Sequence, residues 1–306
     1  MNNDFLIRHA TLRQLQLLVT VAYSQSYTRA AENLHVSQPT VSIQIQKLSD
    51  AIGMPLFDCV GKKLYLTSVG EKVLEVAEDI LDSLGQLSND IIELKGEVQG
   101  DLKIASVTNS KYFMPRLLGV FLQKYPKVQP YLKVTNRARV LERMLHNEDD
   151  LYIIGQVPKE IDVHIEDFLE NTLVFVAYPE HPLAYKKAIS LNKICQERLL
   201  MRETGSGTRK VLDEVFKQHK LDANIYMDLG SSEAIKQAVM AGLGISVLSL
   251  NNLQLEIDSG HLVILDVKEF PVKRAWNIVY YKNKKLSLVA RTFLEFMLSE
   301  GRDILR

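Results

Sequence analysis

The sequence is poor in cysteine and has no long apolar run. Its two cysteines, Cys59 and Cys195, lie far apart, without a second cysteine or a histidine at metal-binding spacing. This excludes a disulfide framework and a cysteine-based zinc site, and it suits a reducing cytoplasm. No run of eighteen apolar residues occurs, which excludes a transmembrane helix. The first thirty residues contain charges and no apolar signal segment, so we expect a cytoplasmic protein.

The chain also lacks an excess of charge of either sign. It has 37 basic and 37 acidic residues, so it is not suited to coating nucleic acid along its whole length. A nucleic-acid function must therefore be carried by a small part of the chain. Several enzyme motifs are absent as well, namely the P-loop, the Gly-x-Ser-x-Gly elbow, His-Glu-x-x-His and the dinucleotide fingerprint. We therefore expect neither catalysis nor a cofactor.

Residues 1–66 predict a winged helix-turn-helix domain. Thr11, Ser26 and Ser37 each precede an apolar helical pattern and are suitable N-caps, and Pro39 fits the first turn of the third helix. Two short strands at 56–59 and 63–66 follow. Three helices and a hairpin in this order are typical of winged DNA-binding modules.

The segment Tyr27–Gln46 matches the helix-turn-helix template, with Ala31 at the crossing of two helices and His35 in place of the usual turn glycine. The third helix carries polar groups suited to the major groove, and nearby basic residues suit phosphates. The candidate DNA contacts are Arg29, Ser37, Gln38, Pro39, Thr40, Ser42, Gln44, Lys47, Lys62 and Lys63.

Residues 67–99 predict a long linker helix with an apolar stripe at near-heptad spacing. Such a stripe buries best against another helix, so we expect self-pairing, although packing on its own domain is an alternative. The hinge out of the helix is expected near Gly100. The stripe consists of Val69, Val73, Val76, Ile80, Leu84, Leu87, Ile91 and Leu94.

Residues 100–306 alternate strands with amphipathic helices, which predicts an α/β effector domain of two lobes with parallel sheets. Lobe I is expected at about 100–171 and 269–306, and lobe II at about 172–268. The predicted strands are 102–107, 132–135, 151–154, 173–177, 199–202, 225–229, 245–248, 262–267 and 276–281. The predicted helices lie near 111–124, 137–147, 208–219, 232–242 and 288–298.

Three segments place small polar residues between a strand end and a helix start. Helix N-termini offer free N–H groups and positive partial charge, so they suit anions, and Lys111, Arg202 and Arg209 are expected to add full charges. We therefore expect a small anionic metabolite, phosphorylated or carboxylate, between the lobes. Its candidate contacts are Thr108, Asn109, Ser110, Lys111, Gln156, Arg202, Gly205, Ser206, Thr208, Ser231 and Ser232.

The strings SYTRAAENLHVSQPTVSIQIQKL and GMPLFDCVGKKLYLTSVG closely resemble the LysR-type transcriptional regulators. The strings ASVTNSKYFMPRLLGVFLQKYP, MRETGSGTR, LGSSEAIKQAVMAGLGISVLS and FPVKRAW resemble their carbon-fixation (CbbR-type) branch. DDLYIIGQVP is similar to its cyanobacterial and plastid members. The Asp58-Cys59 pair in the wing departs from the basic or amide-bearing pair common in the family.

This resemblance implies a periplasmic-binding-protein-like effector domain and a homotetramer, formed as a dimer of dimers, that binds promoter DNA and acts on RNA polymerase as an activator. In that branch the effectors are phosphorylated sugars, phosphoglycolate-type acids, 2-oxoacids or a nicotinamide cofactor. Three alternatives remain, namely a LysR-type regulator of an unrelated regulon, a solute-binding protein, and an enzyme on the same two-lobed fold.

Overall fold

The computed structural model describes residues 10–60, 63–94 and 97–305 of the chain. The chain divides into two compact units, Met1–Leu94 and Lys95–Arg306, and each is described by itself below. Among the described residues, no helix combines the length and the apolar composition that crossing a membrane requires.

The N-terminal unit has the predicted order of helices and strands around one apolar core. The core joins the three short helices, the hairpin and the start of the long helix, and Leu18, Val21 and Val41 are fully buried in it. The elements are α1 (Leu12–Ser24), α2 (Tyr27–Asn33), α3 (Gln38–Ile52), β1 (Phe57–Val60), β2 (Lys63–Leu66) and α4 (Ser68–Leu94).

The predicted caps fix the ends of these helices. The Thr11 side chain accepts a hydrogen bond from the Gln14 N–H, and the Gln14 side chain accepts one from the Thr11 N–H, which forms a capping box. Ser26 and Ser37 cap α2 and α3 through their hydroxyls. His35, where a glycine was expected, adopts a φ of 52° in the turn between α2 and α3.

Helix α4 begins against the hairpin and continues as a long helix. Thr67 Oγ1 accepts a hydrogen bond from the Gly70 N–H at 2.9 Å. A Cβ at Gly70 would lie 2.1 Å from the Leu56 carbonyl oxygen, so this contact requires glycine. Val69 and Val73 pack against the N-terminal core. The next members of the predicted stripe are exposed, namely Val76, Ile80, Leu84, Leu87 and Ile91. The side chain of Leu94 lies outside the described residues.

The C-terminal unit alternates strands and helices, as predicted. Short 3₁₀ turns follow β3 and β9, and a π turn precedes the last helix. The elements are β3 (Gly100–Val107), α5 (Met114–Lys124), β4 (Val128–Thr135), α6 (Arg137–Leu145), β5 (Leu151–Ile154), β6 (Val163–Ala177), α7 (Leu191–Gln196), β7 (Leu199–Arg202), α8 (Gly207–Gln218), β8 (Ile225–Leu229), α9 (Ser232–Met240), β9 (Ser246–Ser249), α10 (Gln254–Asp258), β10 (Val263–Ile264), β11 (Val272–Tyr281), α11 (Leu288–Phe296) and α12 (Arg302–Leu305).

The expected parallel pairing is found in only part of the largest sheet. The largest sheet is mixed, because β3 pairs in parallel with β4 and β5, whereas β11 pairs antiparallel with β5 and β6. Strands β6 and β11 form a long antiparallel ribbon whose register shifts between Trp276 and Asn277. The β7–β8 pair is parallel and forms a separate sheet.

Several element predictions need correction. Strands β4 and β11 each begin four residues earlier than predicted, at Val128 and Val272. Strand β6 begins at Val163 rather than 173, because the charged, half-exposed residues of its first half hid its periodicity. The strand predicted at 262–267 is limited to Val263–Ile264. Helices α7 and α10, of 6 and 5 residues, were missed because they are too short to show a helical period.

Two groups of apolar cores correspond to two lobes joined by the ribbon. In one lobe, the largest core contains Met114, Phe121 and Phe293. In the other, a core contains Phe175 and Ile245. The two lobes therefore have separate interiors, and the space between them is available for a ligand.

Candidate functional site

The outer face of α3 carries the predicted polar residues, while Val41, Ile45 and Leu48 are buried against the core. Gln38 and Lys47 are exposed. The face of α3 that points away from the core is therefore accessible over most of the length of the helix.

Three of the candidate DNA contacts, Ser37, Thr40 and Gln44, already have partners in the protein. Ser37 Oγ lies 2.7 Å from Thr40 Oγ1, so these hydroxyls satisfy each other at the helix start. Gln14 Nε2 donates to Gln44 Oε1 at 3.1 Å, and Gln14 is only 4% exposed. Gln44 is therefore held toward α1, which sequence periodicity alone did not predict.

The other predicted DNA contacts are placed as follows. Pro39 and Arg29 are exposed, on α3 and α2, and Ser42 is partly buried. Lys63 begins β2, and Lys62 lies outside the described residues. The outer face also carries Ile43, an apolar side chain that is 55% exposed and was not among the predicted contacts.

A cavity of about 60 Å³ lies between the two lobes of the C-terminal unit. One water needs roughly 10–15 Å³, so this volume favours a small molecule over a dinucleotide. We call it the interlobe cavity. It is lined by Val107, Thr108, Asn109, Asn136, Arg137, Gly155, Gln156, Asn171, Leu173, Arg202, Ser206, Gly207, Thr208, Val211, Arg274 and Trp276.

The structure brings six of the predicted effector contacts into the lining, namely Thr108, Asn109, Gln156, Arg202, Ser206 and Thr208. Five others lie outside it, namely Ser110, Lys111, Gly205, Ser231 and Ser232. Ser110 bonds to the Val107 carbonyl, and Ser231 caps α9, so both hydroxyls stabilise local structure. Gly205 adopts a φ of 93°, and its carbonyl accepts a hydrogen bond from the Ala138 N–H across the lobes.

The cations expected from the sequence are neutralised by neighbours. Arg202 forms two hydrogen bonds to the Glu203 carboxylate, at 2.7 and 2.9 Å. Arg209 pairs with Asp213 and Asp228 and lies outside the cavity lining. Lys111 lies 4.0 Å from Glu233. Of these three cations, Arg202 lines the cavity, whereas Lys111 and Arg209 do not, and each of the three is paired with a carboxylate.

Besides Arg202, two further arginines line the cavity, Arg137 and Arg274, and neither was among the predicted contacts. Arg137 Nε donates to the Gln156 carbonyl at 3.1 Å, and burial lowers the pKa of its guanidinium. Arg274 lies 3.9 Å from Glu214 of the opposite lobe. No carboxylate lines the cavity in the described part of the chain. Arg137 and Arg274 together carry two positive charges, and Glu214 nearby carries one negative charge. The excess of positive charge favours binding of an anion.

The start of α8 contributes backbone donors to the same cavity. Ser206, the N-cap residue, makes no side-chain capping bond, and Ser206, Gly207 and Thr208 line the cavity. The N–H groups of the first helical turn have no intrahelical acceptor, so they can bind an anionic oxygen. Across the cavity, the Asn171 Oδ1 atom is buried without a hydrogen-bond partner.

Hydrogen bonds join the lobes beside the cavity. Arg202 Nη1 donates to Ser232 Oγ, and Ser232 Oγ donates to Asn109 Oδ1, both at 3.0 Å. The Tyr112 hydroxyl donates to Glu233 Oε2 at 2.8 Å; burial and this carboxylate raise the Tyr112 pKa to about 12. These contacts connect the segment after β3 with helix α9.

Comparison with known proteins agrees with this arrangement. The family description "Bacterial regulatory helix-turn-helix protein, lysR family" matches residues 12–71, and "LysR substrate binding domain" matches residues 95–302. The HTH-type transcriptional activator CmpR of Synechocystis sp. is 46% identical over 97% of this chain and 98% of its own length. The RuBisCO operon transcriptional regulator of Acidithiobacillus ferrooxidans is 44% identical over 97% of this chain and 96% of its own.

A solved structure of the Synechocystis CcmR regulatory domain in complex with 2-PG shares 46% identity and a TM-score of 0.65. It covers 67% of this chain and 99% of the CcmR domain chain. The relatives are named as transcriptional regulators, which agrees with the expectation of a regulator rather than an enzyme. The chain is therefore a LysR-type transcriptional regulator, with a helix-turn-helix DNA-binding domain and an effector-binding domain.

Proposed function

We propose that this regulator activates carbon-fixation genes in response to a small anion bound in the interlobe cavity. The proposal draws on the names of its relatives, an activator in Synechocystis and a RuBisCO operon regulator in Acidithiobacillus. One observation supports an anionic ligand: Arg137 and Arg274 line the same cavity as the start of α8, where Ser206 makes no side-chain capping bond. Because the arginines belong to one lobe and α8 to the other, an anion between them favours the closed state.

Among the expected effectors, the cavity volume favours a short phosphorylated or carboxylate acid such as 2-phosphoglycolate (2-PG). This is the ligand of the related CcmR domain. A phosphate or carboxylate group fits beside the arginines and the N–H groups of α8, since guanidinium groups and helix starts both bind such oxygens. The unpartnered Asn171 Oδ1 is suited to a hydroxyl donor on the ligand.

On the DNA side, we propose that α3 enters the major groove of double-stranded promoter DNA. In this arrangement Gln38 contacts bases, while Arg29, Lys47, Lys62 and Lys63 contact phosphates. Helix α4 pairs two copies through its exposed apolar stripe, and two dimers form a tetramer that acts on RNA polymerase in the cytoplasm. The proposed boundaries are residues 1–66 for DNA binding, 67–99 for the linker and 100–306 for effector binding.

Isothermal titration calorimetry of the full chain tests the anion site. We expect 2-PG to bind more tightly than ribulose bisphosphate, 2-oxoglutarate or a nicotinamide dinucleotide. Arg137→Gln and Arg274→Gln each remove a charged contact, worth ~10- to 100-fold in Kd. Arg139→Gln is the matched control, because Arg139 lies on the same helix, is exposed and pairs with Glu142. Unchanged 2-PG binding in both cavity variants would contradict the site.

Footprinting tests the regulon. The full chain is incubated with DNA from upstream of its own gene and of the RuBisCO genes, with and without 2-PG. A footprint whose extent changes with 2-PG supports carbon-fixation control. Protection confined to other promoters would assign the protein to an unrelated regulon.

A further inference from the structure

The outward face of α3 has an aliphatic residue at its centre. Val41, Ile45, Leu48 and Ile52 form the buried face of this helix, each at most 7% exposed. With about 100° of rotation per residue, Ile43 lies roughly opposite this buried face. Its side chain is 55% exposed, so the fold does not bury it.

The neighbours of Ile43 on this face differ from it in chemistry. Thr40 and Lys47, one turn away in either direction, are exposed, and Thr40 is hydrogen-bonded to Ser37. Gln46 donates to Asp50 within the helix at 2.8 Å. Ile43 is therefore an exposed apolar side chain among polar residues, some of which already form hydrogen bonds within the protein.

Gln44, one of the candidate DNA contacts, is hydrogen-bonded to Gln14 through its side-chain oxygen. A helix in the major groove meets one apolar group on the base edges, the C5-methyl of thymine. A branched aliphatic side chain suits this methyl and offers nothing to the donors and acceptors of the other bases. Scattered exposed aliphatic residues are ordinary on protein surfaces, but this one is at the centre of the face that meets DNA.

We propose that Ile43 determines sequence specificity by contacting thymine methyl groups in the major groove. The inference rests on the proposed placement of α3 in that groove. It predicts that the preferred DNA site contains thymine where Ile43 lies and that removing the thymine methyl weakens binding through this residue.

The test uses the full chain and a site selected by it from a randomised DNA library. Each thymine of the selected site is replaced in turn by deoxyuridine, which lacks only the C5-methyl. Fluorescence anisotropy at fixed salt gives the Kd of each duplex. At one or more thymines we expect the loss to be ~3- to 5-fold, the effect of removing one buried methyl group.

The same series with Ile43→Ala assigns the effect. We expect this variant to bind the thymine and deoxyuridine duplexes equally at those positions, whereas Ile43→Val keeps part of the discrimination. Met54→Ala is the matched control, since Met54 is 51% exposed and follows the end of α3. It should discriminate as the parent does. Because Ile43 is exposed, its replacement should leave the thermal midpoint near the parent value.

Two outcomes overturn the inference while leaving DNA reading intact. In one, no deoxyuridine substitution weakens the parent. In the other, Ile43→Ala remains as sensitive as the parent at every position. If the selection enriches no sequence at all, sequence-specific DNA binding by α3 fails, and the role of Ile43 fails with it.

Discussion

Ser232 Oγ donates a hydrogen bond to Asn109 Oδ1 at 3.0 Å, and the two residues belong to opposite lobes beside the interlobe cavity. Both were predicted to contact the effector, yet in the structure they contact each other. Ser232 also accepts a hydrogen bond from Arg202, which is 4% exposed. Ser232 therefore positions a buried arginine and connects the lobes at the same time.

Replacing this serine should weaken lobe closure. In Ser232→Ala, the Arg202 guanidinium loses an acceptor in a buried place, which costs about 1–3 kcal/mol of unfolding free energy. Urea unfolding measures this loss, and calorimetry should show weaker 2-PG binding because the closed state is less populated. Ser299→Ala, on an exposed helical surface, is the control and should change neither quantity. Equal stability of the two variants would contradict this role.

The linker stripe predicts a dimer. Ile80 and Leu84 are 37% and 38% exposed on α4. Ile80→Asp with Leu84→Asp would place unpaired charges in the paired surface, so we expect monomers at micromolar concentration. Analytical ultracentrifugation distinguishes the states. Lys72→Asp introduces the same charged group outside the stripe and should leave the dimer intact; a parent chain that is monomeric would refute the prediction.

Base and phosphate contacts should differ in their response to salt. Gln38→Ala removes a base contact, so binding to the specific site should weaken by ~1–3 kcal/mol and specificity should relax at one position. Arg29→Ala removes a phosphate contact, so it should weaken all sequences and lower the salt slope by roughly one. Anisotropy titrations with specific and random duplexes measure both effects. If Gln38→Ala discriminates between duplexes as the parent does, Gln38 is not a base contact.

Two glycines should respond oppositely to alanine. A Cβ at Gly244 would lie 2.2 Å from the Arg198 carbonyl oxygen, which also accepts a hydrogen bond from Ile245. We expect Gly244→Ala to lower the free energy of unfolding by about 1–3 kcal/mol, since the backbone must shift. Gly119 lies inside α5 with nothing within 4 Å of its added Cβ, so Gly119→Ala should stabilise by roughly 0.5–1 kcal/mol. Thermal and urea unfolding compare the two variants.

The sequence predicted the N-terminal unit well because its signals are local. Thr11, Ser26 and Ser37 cap their helices as expected, and Gly53 ends α3 in a left-handed conformation. Caps and apolar periods act over a few residues, so a single sequence displays them.

The proposed effector site was harder to predict because the interlobe cavity forms from distant segments. Arg137 follows β4 and Arg274 lies on β11, and only the fold brings both to the cavity. Asn136 gave a usable signal as the cap of α6, but its place in the cavity did not follow from it. Likewise, the pairing of Arg202 with the adjacent Glu203 depends on side-chain direction, which sequence spacing leaves open.

The ribbon of β6 and β11 joins the lobes by an elastic connection rather than a free hinge. The two strands have 15 and 10 residues, and Val163–Leu173 of β6 pairs with the whole of β11. Relative motion of the lobes must therefore bend a hydrogen-bonded strip instead of swinging on a free loop. The strip is irregular between Trp276 and Asn277, and Trp276 lines the interlobe cavity. We therefore expect bending to concentrate beside the interlobe cavity. A paired ribbon of this kind bends by small amounts. We therefore expect a bound anion to stiffen the ribbon and to change the angle between the lobes only slightly.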